Sequence, residues 1–354
     1  MPGINIGLDI GTSSVVFYVQ DKGVVLSEPT VTANYTSSGK MISTGTKAYK
    51  MIGRTSENYT VKRPVSDGIV TDFTAMQNII RYHLQKICGN RIFKPHLIIN
   101  MPIGITNLEK RALLDLATSS GAASACLIEE PIAAALGAGI DYKKPRGTMV
   151  VNIGAGTTDI AVLTMGNLSV CSTIKTAGNA LDSAICRYLR HERDLVIGEI
   201  TAEDIKKKIG CSYMRDAEIA IQVKGKSYLS SLPTLFEITS TEIFLSIREQ
   251  LEVIANSVHD IISETPPELL CDITESGIVL TGGTAKLPGL DKLIQRKTHI
   301  KTRVAPDPEF CVAKGLGVAV SHPEYLQKNG YIFKSKGDLY GYGSIAIASE
   351  QGLN

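Results

Sequence analysis

Two short turns in this 354-residue sequence carry residues suited to binding phosphate. The first is Leu8-Asp-Ile-Gly-Thr-Ser-Ser and the second is Val151-Asn-Ile-Gly-Ala-Gly-Thr-Thr, each between β-branched segments. Glycine lets the backbone approach a ligand closely, and N–H groups exposed in such a turn form an anion-binding concavity. Hydroxyl side chains add donors, here Thr12, Ser13, Ser14, Thr157 and Thr158. Either turn alone fits a plain β-hairpin, but the two together could clamp a polyphosphate.

Asp9 stands at the end of the first predicted strand, directly before the turn. It could hold Mg²⁺ through water, because Mg²⁺ in proteins uses few carboxylates and keeps several waters. The sequence has neither a GxxxxGK[ST] phosphate loop nor a GxGxxG turn after a first strand. P-loop and dinucleotide-binding folds are therefore disfavoured.

Strands and helices are predicted to alternate along the chain, which is typical of the α/β class. Strand–turn–strand units are expected at 4–20 and 148–165, and this large-scale repeat predicts two similar lobes. Hydrophobic period, capping boxes and prolines predict helices at 73–87, 106–117, from Pro131, at 181–190, 202–209, 239–261 and from Pro288. Short buried strands are predicted at 97–101 and 277–281, and small strands and loops at 30–60.

The composition excludes several classes of protein. Lys and Arg number 37 and Asp and Glu 35, so the chain lacks the basic field of a nucleic-acid binder. The seven cysteines include no CxxC pair, which argues against a zinc site or disulfide framework and favours a reducing compartment. No apolar run reaches the roughly 18–20 residues of a membrane span, and the start lacks signal-peptide features. We expect a cytoplasmic protein.

Longer stretches add a family resemblance. The two turns, the Glu130-Pro-Ile-Ala-Ala-Ala helix start and the Thr281-Gly-Gly turn resemble the actin/Hsp70/sugar-kinase superfamily. Within it, the chain is similar to MreB, the bacterial actin, from about residue 4 to residue 325. The stretches that carry this likeness are Met51-Ile-Gly-Arg-Thr, Lys62-Arg-Pro-Val-Ser-Asp-Gly-Ile-Val-Thr-Asp-Phe, Leu127-Ile-Glu-Glu-Pro-Ile-Ala-Ala-Ala, Ile197-Gly-Glu-Ile-Thr-Ala-Glu-Asp-Ile-Lys and Pro266-Pro-Glu-Leu-Leu-Cys-Asp-Ile.

The resemblance implies an ATP site with Mg²⁺. It assigns the first phosphate loop to Gly11, Thr12, Ser13 and Ser14, and the second to Gly154, Ala155, Gly156 and Thr157. It places Asp9 toward Mg²⁺, Glu130 as the residue that orients the attacking water, and the Thr157 hydroxyl near the γ-phosphate. Adenosine and ribose would contact Glu203, Lys206, Lys207, Gly282, Gly283, Thr284 and Ala285.

Two of these assignments have simpler alternatives. Glu203, Lys206 and Lys207 lie at i, i+3 and i+4 of a predicted helix, a spacing that fits an ordinary surface ion pair equally well. Glu130 could instead be a carboxylate stabilised by the positive end of its helix.

The chain also departs from the family pattern at the second loop. Asn152 stands where an Asp is usual, and Ala155 and Thr176-Ala-Gly-Asn179 replace glycine-rich stretches. An amide can accept from a metal-bound water but supplies no charge and cannot act as a base. Losing one such contact could reduce the rate about 10²–10³-fold. We therefore expect Asn152 to affect catalysis and the chain to be a divergent paralogue that hydrolyses ATP slowly.

The resemblance further implies an actin/Hsp70-like ATPase fold with two lobes, each an RNase H-like core carrying a smaller subdomain. Lobe I would comprise a large subdomain at 1–32, 73–145 and 321–354 and a small one at 33–72. Lobe II would comprise 146–183 and 250–320, with a small subdomain at 184–249. The tail from Gln327 carries no readable motif, and Gly341-Tyr-Gly343 predicts a loop.

A membrane contact is expected in the loop Cys88-Gly-Asn-Arg-Ile-Phe-Lys-Pro. Its apolar pair Ile92 and Phe93 is flanked by Arg91 and Lys94, a pattern suited to an anionic membrane surface. The alternative is a loop packed on its own domain. One such pair binds weakly, so stable attachment would require many copies in a filament.

The expected function is that of ATP-dependent filaments at the inner face of the cell membrane that organise cell-wall synthesis and set rod shape. The implied partners are further copies of the chain, that membrane and cell-wall elongation proteins, without nucleic acid. A hydrolysis-impaired paralogue that modulates other MreB filaments is the main alternative, kept open by Asn152. An Hsp70-type chaperone would need a β-rich substrate domain, and a sugar kinase a catalytic Asp in a substrate pocket.

Overall fold

The computed structural model describes residues 4–89, 93–141, 144–322 and 331–340. Its strands are β1 Asn5–Ile10, β2 Ser14–Val19, β3 Gly23–Pro29, β4 Thr32–Tyr35, β5 Met41–Thr44, β6 Tyr59–Lys62, β7 Val65–Ser66, β8 Ile69–Val70, β9 His96–Met101, β10 Ser124–Glu129, β11 Thr148–Ile153, β12 Thr158–Thr164, β13 Asn167–Ile174, β14 Leu195–Val196, β15 Ala220–Ser227, β16 Pro233–Thr239, β17 Ile278–Thr281, β18 Thr302–Val304 and β19 Lys334–Ser335.

Its helices are α1 Thr46–Tyr49, α2 Phe73–Cys88, α3 Asn107–Ser119, α4 Glu130–Gly137, α5 Gly178–Glu192, α6 Glu199–Ile209, α7 Ser240–Glu264, α8 Pro267–Ser276, α9 Leu290–Thr298, α10 Cys311–Ser321 and α11 Lys336–Tyr340. Short 3-10 turns cover Gly283–Lys286 and Pro308–Phe310. Among these helices, none combines the length and the apolar character needed to cross a membrane.

Two main sheets have the same strand order, which confirms the predicted repeat. Sheet I runs β3-β2-β1-β9-β10, with β19 at its edge, and sheet II runs β13-β12-β11-β17-β18. In each sheet three antiparallel strands are followed by two parallel ones. Helices α2 and α3 pack on sheet I, and α5, α6, α7 and α9 belong to the core of sheet II. The molecule is thus an α/β protein with two similar lobes, here lobe I and lobe II.

Each lobe also carries a smaller sheet inserted between its main strands. The sheet β5-β4-β6 belongs to lobe I, and β14-β15-β16 belongs to lobe II. The sheet of lobe II lies within 184–249, and that of lobe I begins one residue before 33–72, at Thr32. The predicted boundaries of the small subdomains stay a prediction.

Helices α4 and α10 cross between the two main sheets. Apolar side chains of both helices share one core with Ile98 and Ile128 of sheet I and Val150 of sheet II. The crossing depends on glycine, because a Cβ added to Gly315 would lie 1.7 Å from the carbonyl oxygen of Ala133. The two lobes therefore meet at a layer packed backbone to backbone, and this layer places the start of α4 between them.

Most predicted elements are confirmed, including the capping boxes at Thr106 and Thr239. The helix expected from Pro288 begins only at Leu290, because Gly289 adopts a left-handed φ of 83°. The stretch 30–60 contains α1 besides its strands.

In the tail, β19 joins sheet I, and the carbonyl of Leu339 accepts a hydrogen bond from Arg111 at 2.6 Å. The predicted loop 341–343 lies outside the described residues.

Candidate functional site

The two hydroxyl-rich turns have the same local geometry. The first joins β1 to β2, where the Gly11 N–H donates to the Ser14 carbonyl at 3.0 Å. The second joins β11 to β12, where the Gly154 N–H donates to the Thr157 carbonyl at 2.9 Å. The turns face each other so closely that a Cβ on Gly156 would lie 2.4 Å from Thr12 Oγ1. The predicted pair of opposed turns is therefore present.

A third turn, absent from the predicted site, covers both of them. Asp67 and Gly68 join β7 to β8 with φ values of 49° and 76°, as a two-residue type I′ hairpin requires. The Gly68 N–H donates to Thr12 Oγ1 at 3.0 Å, and a Cβ on Gly68 would lie 3.3 Å from Thr157 Cγ2. The Asp-Gly pair within the quoted stretch 62–73 was the available signal for this hairpin.

A cavity of about 540 Å³ opens between the lobes at these turns. It is lined by nearly all the predicted residues, namely Asp9, Gly11, Thr12, Ser13, Ser14, Glu130, Asn152, Gly154, Ala155, Gly156, Thr157, Glu203, Lys206, Lys207, Gly282, Gly283 and Thr284. Ala285 is the exception, because its side chain packs into the core of lobe II. Lining residues that were not predicted include Gly68, Asn179 and Asp182.

Three carboxyl groups interact near the base of the cavity, which Asp9 and Glu130 line and Asp159 does not. Burial raises the pKa of Asp9 to about 7 and that of Asp159 to about 6. The pKa of Glu130 lies well above its usual value because of burial and the nearby charges of Asp159 and Asp9. A cation close to these groups would favour their ionised forms. The base of the cavity is thus suited to a positive charge.

Both carboxylate oxygens of Glu130 are held by amides. Asn100 Nδ2 donates to Oε2 at 3.0 Å, and Asn152 Nδ2 donates to Oε1 at 2.8 Å. Asn152, which the sequence singled out as a departure from the family pattern, also accepts from the Thr281 hydroxyl at 3.0 Å. Asn100 was not predicted, although a polar residue within the apolar strand β9 was the available signal.

The opposite wall of the cavity is formed by α5 and α6. The Glu203 carboxylate accepts from the Tyr49 hydroxyl at 2.6 Å and pairs with Lys207 at 2.6 Å. Burial raises its pKa, but these two partners outweigh burial and lower it. Lys206 Nζ instead donates to Asp182 Oδ2 and to the Gly178 carbonyl, both at 2.8 Å. The Asp182 Oδ1 atom is buried without a hydrogen-bond partner among the described residues.

Two of the predicted site residues concern the membrane. Phe93 is 58% exposed, and its predicted partner Ile92 lies outside the described residues. The loop's role therefore stays a prediction.

Comparisons with known proteins agree with this architecture. The sequence model of the MreB/Mbl protein family matches residues 3–328. The cell shape-determining protein Mbl of Bacillus subtilis (strain 168) is 39% identical over 325 residues, covering 92% of this chain and 98% of Mbl. The cell shape-determining protein MreB of Escherichia coli (strain K12) is 38% identical over 342 residues, covering 95% and 96% of the two chains.

Solved structures give the same result for the fold. MreB5 of Spiroplasma citri bound to ADP superimposes with a TM-score of 0.88 at 33% identity, covering 93% of this chain and 99% of MreB5. A second MreB5 structure, bound to AMPPNP, is 34% identical with the same TM-score. The MamK double helical filament, at 18% identity and a TM-score of 0.77, shares the fold. This chain has the actin-like ATPase fold and belongs to the MreB/Mbl family.

Proposed function

We propose that this protein binds ATP in the cavity between its lobes and assembles into filaments that determine cell shape. The observation that carries the proposal is the pair of opposed turns, closed over by the Asp67-Gly68 hairpin, above a base of carboxylates. Family membership and the cell-shape names of its relatives support the cellular role. The ADP and AMPPNP in the MreB5 structures support a nucleotide as the ligand.

The chain's own residues fit such a ligand. Gly154 and Gly156 in the second turn and Gly11 in the first carry no Cβ atom, so that backbone can approach phosphates at these positions. The hydroxyls of Thr12, Ser13 and Ser14 add donors. At the opposite wall, Glu203, Lys207 and Asp182 offer polar groups to a sugar and base. Lys206, bound to Asp182, would act mainly by fixing that carboxylate.

Mg²⁺ fits the base of the cavity, where Asp9 would hold it together with phosphate oxygens and water. When bound, Mg²⁺ would neutralise charge on the phosphates. Glu130 would orient the attacking water, a role that needs position more than basicity, and the Thr157 hydroxyl would donate toward the γ-phosphate. The three neighbouring carboxyls would meanwhile gain a counter-charge.

Membrane attachment and contact with the cell-wall synthesis machinery belong to the same proposal. The exposed Phe93, together with Ile92, would insert into the surface of an anionic membrane, and the adjoining basic residues would contact its lipid headgroups. Filaments would supply the avidity that one such pair lacks.

The hydrolysis-impaired alternative is favoured by one specific observation. The amide at 152 supplies no negative charge where the family usually has one. Under this alternative the protein binds ATP and joins or modulates filaments of related chains without releasing phosphate.

The nucleotide site is tested by Gly156→Ala. The new Cβ would lie 2.4 Å from Thr12 Oγ1 and 3.0 Å from Asp67 Cα, and these steric clashes would push the loops apart. We expect ATP affinity, measured by displacement of a fluorescent ATP analogue with Mg²⁺ present, to fall at least about tenfold. Gly198→Ala is the matched control, because no atom lies within 4 Å of its added Cβ. Equal affinity of the two variants would contradict the assigned site.

A further inference from the structure

Glu130 is held from both lobes at once. Asn100 lies on β9 of sheet I and Asn152 on β11 of sheet II, and their side chains are 3% and 2% exposed. Their amide nitrogens reach opposite oxygens of the one carboxylate, at 3.0 Å and 2.8 Å. Glu130 itself begins α4, in the layer between the two sheets. These three side chains, here called the amide clamp, therefore span the junction of the lobes.

The orientation of each amide is fixed by a further hydrogen bond. The Ile10 N–H donates to Asn100 Oδ1 at 2.8 Å, and the Thr281 hydroxyl donates to Asn152 Oδ1 at 3.0 Å. Because both amide oxygens accept these bonds, each amide turns its NH₂ group toward Glu130. Ile10 directly precedes the first phosphate loop, so Asn100 connects that loop to Glu130.

We infer that Asn100 is a positioning residue for ATP hydrolysis: with Asn152 it fixes Glu130 from both lobes and so ties the orientation of that carboxylate to the relative position of the lobes. The inference rests on the function proposed above. A rotation of one lobe against the other would lengthen one of the two hydrogen bonds from the amides and turn the Glu130 carboxylate. The clamp also gives Asn152 a role that an ionised Asp could not fill, because an ionised carboxylate has no hydrogen to donate to Glu130.

The Asn100→Asp variant tests whether Asn100 positions the Glu130 carboxylate or only stabilises the fold. One carboxylate oxygen still accepts from the Ile10 N–H, while the other replaces the NH₂ group that Glu130 requires. We expect phosphate release at saturating Mg-ATP to fall about 10–100-fold, as for a small displacement of a reacting group. The dissociation constant for a fluorescent ATP analogue should stay within about twofold of wild type. Asn167→Asp is the matched control, because among the described residues its amide donates to the carbonyl of Met165, in an exposed turn.

Two further variants keep the test decisive. If Asn100→Asp does not fold, Asn100→Ala removes the donor without adding charge and should show the same split between turnover and affinity. In a Glu130→Gln background, Asn100→Asp should cause no additional loss of phosphate release, because the residue it positions is already replaced.

Three results would overturn the inference. The first is wild-type turnover in Asn100→Asp with intact binding, and the second is an additional loss in the Glu130→Gln background. The third is a wild-type chain that binds ATP without any phosphate release, which would also remove hydrolysis from the proposed function. Only in this third case does the wild-type protein release no phosphate. Failure of the positioning inference alone is therefore distinguishable from failure of the proposed hydrolysis.

Discussion

At the scale of single residues, the site depends on side chains that distant parts of the chain bring to Glu130. The loop residues were predictable because glycines and hydroxyl side chains lie together within a few positions. Asn100 was not predictable, because its partners Ile10 and Glu130 lie 90 and 30 residues away along the chain. Asn152 was recognised as unusual, but its bond to Glu130 required the packing of both lobes. Lys206 likewise binds Asp182, whose burial no pattern predicted.

The three carboxyls at the base of the cavity make the nucleotide-free protein sensitive to pH. Their pKa values in the folded chain exceed those of an unfolded chain, which lie near about 4. The folded chain therefore binds more protons, and stability falls as pH rises from about 4 through about 7. By thermal unfolding in EDTA and in Mg²⁺, we expect Mg²⁺ to raise the midpoint by at least about 2 °C more at pH 7.5 than at pH 5.

Asp9→Asn is the control for that prediction. Other groups also respond to pH, notably buried His83, whose pKa is lowered mainly by burial and which destabilises the fold at acidic pH. Such groups contribute equally to both proteins, so the difference between them reports the carboxyl cluster. An equally large Mg²⁺ effect in Asp9→Asn would rule out this carboxyl as the source.

At the scale of elements, the repeated strand–turn–strand units predicted the two sheets, whereas the central helix pair was predicted only in part. The alanine-rich start of α4 indicates close packing, but its partner α10 is about 175 residues away, a separation that sequence periodicity does not detect. Tertiary contact also decides the tail, where two residues extend sheet I as β19.

The crossing of α4 and α10 gives a sharp element-scale prediction. In Gly315→Ala, the new Cβ would lie 1.7 Å from the Ala133 carbonyl oxygen, and backbone cannot give way as a side chain can. We expect a loss of more than about 4 kcal/mol of unfolding free energy, seen as insoluble protein or a much lower unfolding midpoint. Gly198→Ala should keep the wild-type midpoint to within about 2 °C. A normally folded Gly315→Ala would contradict the described helix crossing.

At the scale of the whole molecule, family and fold were predictable because matching stretches extend along most of the chain. The contacts between the lobes at the cavity were not predictable from the sequence. Tyr49, in the small sheet region of lobe I, donates to Glu203 of lobe II across 154 residues of sequence. Arg63 also approaches Glu199, at 3.8 Å. Both contacts join lobe I to lobe II.

We propose above all that ATP in this cavity drives assembly of filaments. It is tested most directly by sedimenting the purified full-length protein with and without Mg-ATP while phosphate release is followed in the same samples. We expect protein in the pellet only with Mg-ATP, together with slow phosphate release, and neither in Gly156→Ala. A pellet without phosphate release would favour the hydrolysis-impaired alternative. A wild-type protein that stays in the supernatant with every nucleotide, also on anionic liposomes, would contradict the claim.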